Sequence, residues 1–201
     1  MKILFIHQNF PGQFKFLAPT LVKLGHQVTA MTMQKNMPSR WEGINVIAYQ
    51  PNRGTAMNAH PWVTDFETKV IRAESCFRAA ERLKKSGYDP DAIIAHPGWG
   101  ESLFLKEVWP KAKLGIYCEF YYHSSGVDVG FDPEFPVVDS GESCRLRLKN
   151  LNNLLHFDLA DAAISPTQWQ ASTFPNPFAP RLRWCMTALT QTCLPPTPRP
   201  V

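Results

Sequence analysis

Residues 1–25, MKILFIHQNFPGQFKFLAPTLVKLG, decide how the rest of the chain reads. Lys2 to Ile6 is a run of β-forming side chains that ends against His7, Gln8 and Asn9, three polar residues that a buried strand would not hold without partners. Pro11 suits a first helical turn, Gly12 lets backbone come close to a ligand, and the free N–H groups of such a turn attract anions. An amphipathic helix then runs to Gly25. Strand, polar loop and helix in that order open a parallel α/β sheet, with a ligand site expected at the strand's carboxyl end.

The alternation continues with the spacing of βαβ units. Gln27 to Thr32 and Ile44 to Tyr49 read as the second and third strands. Thr64-Asp65-Phe66-Glu67 has the form of a capping box, and Phe66, Val70, Ala73, Phe77 and Ala80 follow at helical spacing until Gly87. Ala92 to Ala95 is a wholly apolar strand, Glu101 to Trp109 a short helix and Leu114 to Cys118 another strand. Asp139 with Glu142 opens a helix to about Phe157, and Ala162 to Ile164 is the last strand. Ser165, Pro166 and Gln168 then serve as N-cap, N1 and N3 of a further helix. These strands should be buried on both faces, as in a Rossmann-like parallel sheet with helices on both sides.

Composition narrows the function. With 201 residues and 44% hydrophobic content the chain can bury one sizeable core. The net charge of +4 comes from scattered Lys and Arg, so no nucleic-acid partner is expected, while peripheral contact with an anionic membrane surface stays open. Five cysteines without a CxxC pair or metal spacing suit a reducing cytoplasm, and no stretch has the length of a membrane span. The first loop has one glycine where a dinucleotide fingerprint needs three, and no Gly-Lys-Ser/Thr, G-x-S-x-G or H-E-x-x-H pattern occurs.

HQNFPGQF, the GHQV turn, YDPDAIIAHPGWGES, EFYYHSSGVDVGFDPEFP and AISPTQWQASTFP together resemble the N-terminal domain of bacterial family 4 glycosyltransferases, over roughly residues 1–175. The resemblance implies the N-terminal half of a GT-B enzyme: two Rossmann-like domains, a nucleotide-sugar donor held by the C-terminal one, and a saccharide or lipid-linked acceptor held by this one. It also implies retention of anomeric configuration, no bound metal, and no cofactor beyond the donor co-substrate.

His96 is the sharpest candidate for chemistry, since it follows the apolar strand directly and precedes Pro97-Gly98-Trp99-Gly100-Glu101. A histidine at this strand end meets the acceptor or reacting sugar in the family, and imidazole transfers protons near neutral pH. The plainer reading is a histidine that caps the next turn. Candidate substrate-binding residues are Asn9, Gly12 and Gln13 in the first loop, and Gly98, Trp99 and Glu101 after His96. Glu101 could equally favour a helix N-terminus by its charge. Glu119, Tyr121, Tyr122 and Asp128 complete the set, because aromatic faces stack on sugar rings while carboxylates accept their hydroxyls. A lid packed on its own aromatics is the alternative there, and His123 with the nearby acids gives no convincing metal set. Ser165 and Thr167 read as helix caps.

The last stretch breaks the pattern. Seven of residues 175–201 are proline, and apolar periodicity vanishes. Codons compatible with Trp184 to Leu194, read from the third base of the Arg183 codon, spell V-V-H-D-G-I-D-T-D-L, a strand and loop of the kind the family carries here. Residues 176–201 are therefore expected to be a frameshifted, non-native or disordered tail. On that expectation the chain is an acceptor half that lacks its donor-binding domain and is inactive alone. The competing class is a non-enzymatic Rossmann-like module that binds a sugar or nucleotide and acts with a partner.

Overall fold

The computed structural model describes residues 1–127, 129, 131, 132, 134 and 139–185. Eight strands form one sheet: β1 (Lys2–Ile6), β2 (Gln27–Thr32), β3 (Arg40–Trp41), β4 (Ile44–Ala48), β5 (Ala92–Ala95), β6 (Lys113–Tyr117), β7 (Ala162–Ser165) and β8 (Leu182–Trp184). Their order is β3-β4-β2-β1-β5-β6-β7-β8, all parallel except the antiparallel edge pair β3–β4. The helices are α1 (Leu17–Lys23), α2 (Thr64–Lys85), α3 (Leu105–Val108), α4 (Glu142–Lys149), α5 (Leu151–Leu159) and α6 (Gln168–Ser172). This is the expected Rossmann-like α/β fold. The chain runs outward from β1 through β2 to β4 and then returns to β5 on β1's other side, so a crevice opens at the carboxyl ends of β1 and β5.

Alternation in the strands builds two cores. Leu4 and Ile6 face one way, into a cluster with Cys76, Ala80, Ile93, Leu105, Trp109 and Phe157. Ile3 and Phe5 face the other way, against Phe10, Phe14, Ala18, Val28 and Ile44. The α2 stripe that is buried runs through Lys69, Ala73, Cys76 and Ala80, so it keeps Ala73 and Ala80 of the expected face while Phe77 lies at its edge.

Several local expectations are corrected. No capping box forms at Thr64: its hydroxyl donates to the His60 carbonyl, and Glu67 turns away to the Ala56 N–H at 3.3 Å and to Arg53 at 3.7 Å. The helix expected from Glu101 begins at Leu105, so Glu101 lies in the preceding turn, fully buried. The helix expected to run to Phe157 divides at Asn150, whose side chain is committed to another segment. Thr167, not Ser165, caps α6, with its hydroxyl accepting from the Gln170 N–H at 3.1 Å, while Ser165 ends β7 in the core.

The boundary at Pro175 moves as well. Phe178 stacks on Phe157 with ring centroids 4.1 Å apart and planes 13° apart, and Leu182, Arg183 and Trp184 pair with β7. Proline at 175, 177 and 180 shapes the turn without interrupting the short ladder that follows. Residues 186–201, most of the expected shifted tail, lie outside the described residues.

Burial on both faces holds for β1 and β2, but on one face of the sheet Ile94 of β5 is only partly buried and Ile164 of β7 is 36% exposed. Ile94, Ile116 and Ile164 with Phe14, Phe16 and Leu17 line an apolar hollow of about 660 Å³ beside α1.

Candidate functional site

Three strand ends meet in the crevice. His7 follows β1, His96 follows β5 and Glu119 lies two residues past β6. His7 Nδ1 accepts from the Asn9 N–H at 3.0 Å, which leaves the ring proton on Nε2, and that nitrogen donates to Gln13 Oε1 at 2.6 Å. The Gln13 amide is thereby oriented, and its Nε2 donates to Glu119 Oε1 at 2.7 Å. His96 Nδ1 accepts from the Gly98 N–H at 3.3 Å, so its Nε2 carries the proton toward Glu119 Oε2 at 3.2 Å. That last approach is a close contact off the line of a good hydrogen bond, since Nε2 has no aligned partner. The result is a chain from His7 through Gln13 and Glu119 to His96.

Burial sorts the roles within that chain. His96 is 4% exposed, whereas the Glu119 side chain is 41% exposed, so the carboxylate is the group presented to a ligand and the imidazole stands behind it. Burial, followed by the neighbouring His96, lowers the His7 pKa to about 4, which keeps that ring neutral. Glu119 is held below the ordinary carboxylate range, chiefly by its contact with His96 and also by Gln13.

The glycines seat the histidines. A Cβ on Gly12, which has φ +43°, would come within 2.4 Å of the His7 ring, and one on Gly98 would lie 2.8 Å from His96 Cε1. Within this loop the N–H groups of Asn9, Phe10, Phe14 and Lys15 are taken up by His7, Pro11, Gly12 and Thr32.

The segment after Glu119 is fixed from outside. Tyr122 N–H donates to Asn150 Oδ1 at 3.0 Å and Asn150 Nδ2 donates to the Tyr122 carbonyl at 2.7 Å. Asn153 donates to the Phe120 carbonyl at 3.2 Å, and Thr173 accepts from the Tyr121 N–H at 3.1 Å. Asn150 thus divides α4 from α5 because its amide serves this loop. The backbone of this segment is consequently held in place, with little of its entropy left to lose on binding.

Of the residues singled out in the sequence, Gln13, His96 and Glu119 come together, with Gly12 and Gly98 packed on the rings and Tyr122 beside them. Asn9 sits at the rim and contributes its backbone, while Trp99 is 42% exposed beneath the Arg72 guanidinium, 5.6 Å from the ring centre. Tyr121 turns inward against Phe174 and Phe178. Glu101 is fully buried behind the site, and burial raises its pKa to about 7. Asp128 lies outside the described residues. Sequence reasoning treated His7 only as the end of a strand; a histidine immediately after the first strand, facing a second one after β5, was the available signal.

A small cavity of about 80 Å³ lies between His96, Glu119, Tyr122, Lys149 and Asn152. Among the described residues no three His, Cys, Asp or Glu gather as a metal set, and no helix is long and apolar enough to cross a membrane. A half-exposed carboxylate held between an imidazole N–H and an amide N–H can accept hydrogen bonds from hydroxyls, which a sugar presents.

The model of the glycosyl transferase family 4 group matches residues 24–190. No curated protein matches the chain in sequence. Among solved structures, the sucrose-phosphate synthase of Thermosynechococcus elongatus is similar over 95% of this chain and 91% of its own, with TM-score 0.57 and 16% identity. A UDP-glucosyltransferase from Polygonum tinctorium matches 99% of this chain and 55% of its own, at TM-score 0.56 and 12% identity. The catalytic domain of starch synthase IV from Arabidopsis thaliana, bound to ADP and acarbose, matches 91% and 50%, at TM-score 0.55 and 15% identity. These likenesses are ones of fold, and the chain spans about half the length of the latter two.

Proposed function

Because the chain belongs to the glycosyl transferase family 4 group, we propose that it forms the acceptor side of a sugar-transfer site, with a nucleotide-sugar donor held by a second domain. The observation that carries this reading is the Glu119 carboxylate, exposed in the crevice and held by His96 and Gln13 at the ends of three parallel strands. Glu119 receives the acceptor hydroxyl, and His96 Nε2–H steadies that carboxylate or meets the sugar when Glu119 turns toward it. His7 and Gln13 are positioning residues that set the carboxylate's direction. On this reading the acceptor is a saccharide, free or lipid-linked, the reaction belongs in the cytoplasm, and this half transfers nothing by itself.

The test is sugar transfer by a two-domain protein that carries this chain with a donor-binding domain. Glu119→Gln and His96→Ala should each lower turnover at least about 100-fold, and the Gln variant, at a half-exposed position, should keep its melting temperature. Unchanged turnover in both would remove the proposal. Saccharide binding with no transfer by the two-domain protein would make the chain a binding module instead.

A further inference from the structure

A second, larger opening continues from the small cavity. The two share Tyr122, and the larger one, about 610 Å³, is walled by Trp62, Tyr122, Ser143, Arg147 and Asn150. Its volume suits one or two sugar rings. Trp62 is 38% exposed and lies on Gly141, where a Cβ would come within 2.9 Å of the indole, so glycine at the N-cap of α4 leaves room for the ring. Tyr122 is fixed from the other side by Asn150.

The charges of this opening are one-sided. No Asp or Glu lines it among the described residues. Arg147 has no ion-pair partner among the described residues, and neither does Lys149, whose ammonium lies 3.8 Å over the Tyr122 ring at the junction of the two cavities. Neighbouring cations differ: Arg145 is held by Glu142 and Lys69 by Asp65, while Asp139 accepts from the Gly141 N–H. Arg147 thus lines the aromatic groove, and Lys149 stands at its inner end, where the smaller cavity reaches Glu119. A neutral sugar would use the rings but not the charges.

We infer that the Trp62–Tyr122–Arg147–Lys149 groove binds a saccharide bearing an anionic substituent, a phosphate or a carboxylate, with a ring stacked on Trp62 and the anion drawn by Arg147 in the groove wall and Lys149 at its inner end. This rests on the acceptor reading and makes the acceptor an acidic sugar, whose hydroxyl reaches Glu119 past Tyr122.

Ligand-observed NMR titration of the 201-residue chain tests it with methyl glucoside, glucuronate, glucose 6-phosphate and inorganic phosphate. The two acidic sugars should bind about tenfold more tightly than the glucoside, as two partly exposed charge contacts allow, and more tightly than phosphate alone. Arg147→Gln with Lys149→Gln should erase the preference and leave glucoside binding within about twofold. Trp62→Ala should weaken all three sugars alike and leave the preference intact. Equal binding of neutral and acidic sugars, an unchanged preference in the double variant, or phosphate binding as tightly as glucose 6-phosphate would each overturn the inference, as would no binding of any probe. If none binds while the two-domain protein transfers sugar, the acceptor reading stands and only this groove assignment falls. If the preference holds but no transfer occurs, the groove is an acidic-sugar receptor site and the transfer reading falls.

Discussion

Glu101→Gln should stabilise the protein in alkaline solution and leave it nearly unchanged in acid. Glu101 is fully buried in the turn after Gly100, and neither carboxylate oxygen has a well-aligned hydrogen-bond partner elsewhere in the fold. Burial raises its pKa from 4.5 to about 7, opposed first by its own backbone N–H and then by the charges of Arg72, His96 and Lys69. The folded protein therefore retains this proton at pH values where the unfolded chain has released it. Stability from that difference is complete below pH 4.5 and is lost as pH rises to about 7. At roughly 1.4 kcal/mol per pH unit, the loss comes to about 3 kcal/mol. Glutamine keeps the shape and cannot ionise, and its unpartnered amide costs the same at every pH. The difference in urea unfolding free energy between variant and wild type should thus grow by about 3 kcal/mol from pH 4.5 to 8.5, in the variant's favour. Parallel curves over that range, or a variant weaker throughout, would show that the carboxylate is ionised and paired in the folded protein.

His7 and His156, both lowered to about 4 with burial as the first cause, act in the opposite sense. Each contributes stability above pH 6.5 that is lost as pH falls toward 4, up to about 3 kcal/mol apiece, and His156→Gln should flatten that limb of the urea-derived profile. Gly12→Ala should cost about 2–3 kcal/mol and displace the His7 ring, because its Cβ would stand 2.4 Å from it; unchanged His7 ring resonances by NMR would contradict this. Phe178→Ala should lower stability by about 3 kcal/mol, a fall of several degrees in melting temperature. No fall would mean that residues 176–184 are not part of the cooperative fold.

The sequence by itself determined six of the sheet's eight strands and the three strand ends where the candidate site lies, because parallel strands buried between helices announce themselves as short apolar runs and the polar residues that stop them mark the crevice. Gln13, His96 and Glu119 were legible for that reason. Boundaries set by side-chain competition were less legible: a TDFE box gave way to contacts with the preceding loop, and a helix pattern through Asn150 was divided because that amide serves Tyr122, 28 residues away. The strand at Leu182–Trp184 was hidden among prolines, since three residues carry no periodicity and only pairing with Ala163 to Ser165 defines them. Burial decided the rest. Glu101 and Glu119 are alike in sequence, yet one is sealed behind the site with a pKa near 7 and the other stands in the crevice with its pKa lowered. That difference comes from solvent access and from neighbours distant in the chain, which only the tertiary structure sets.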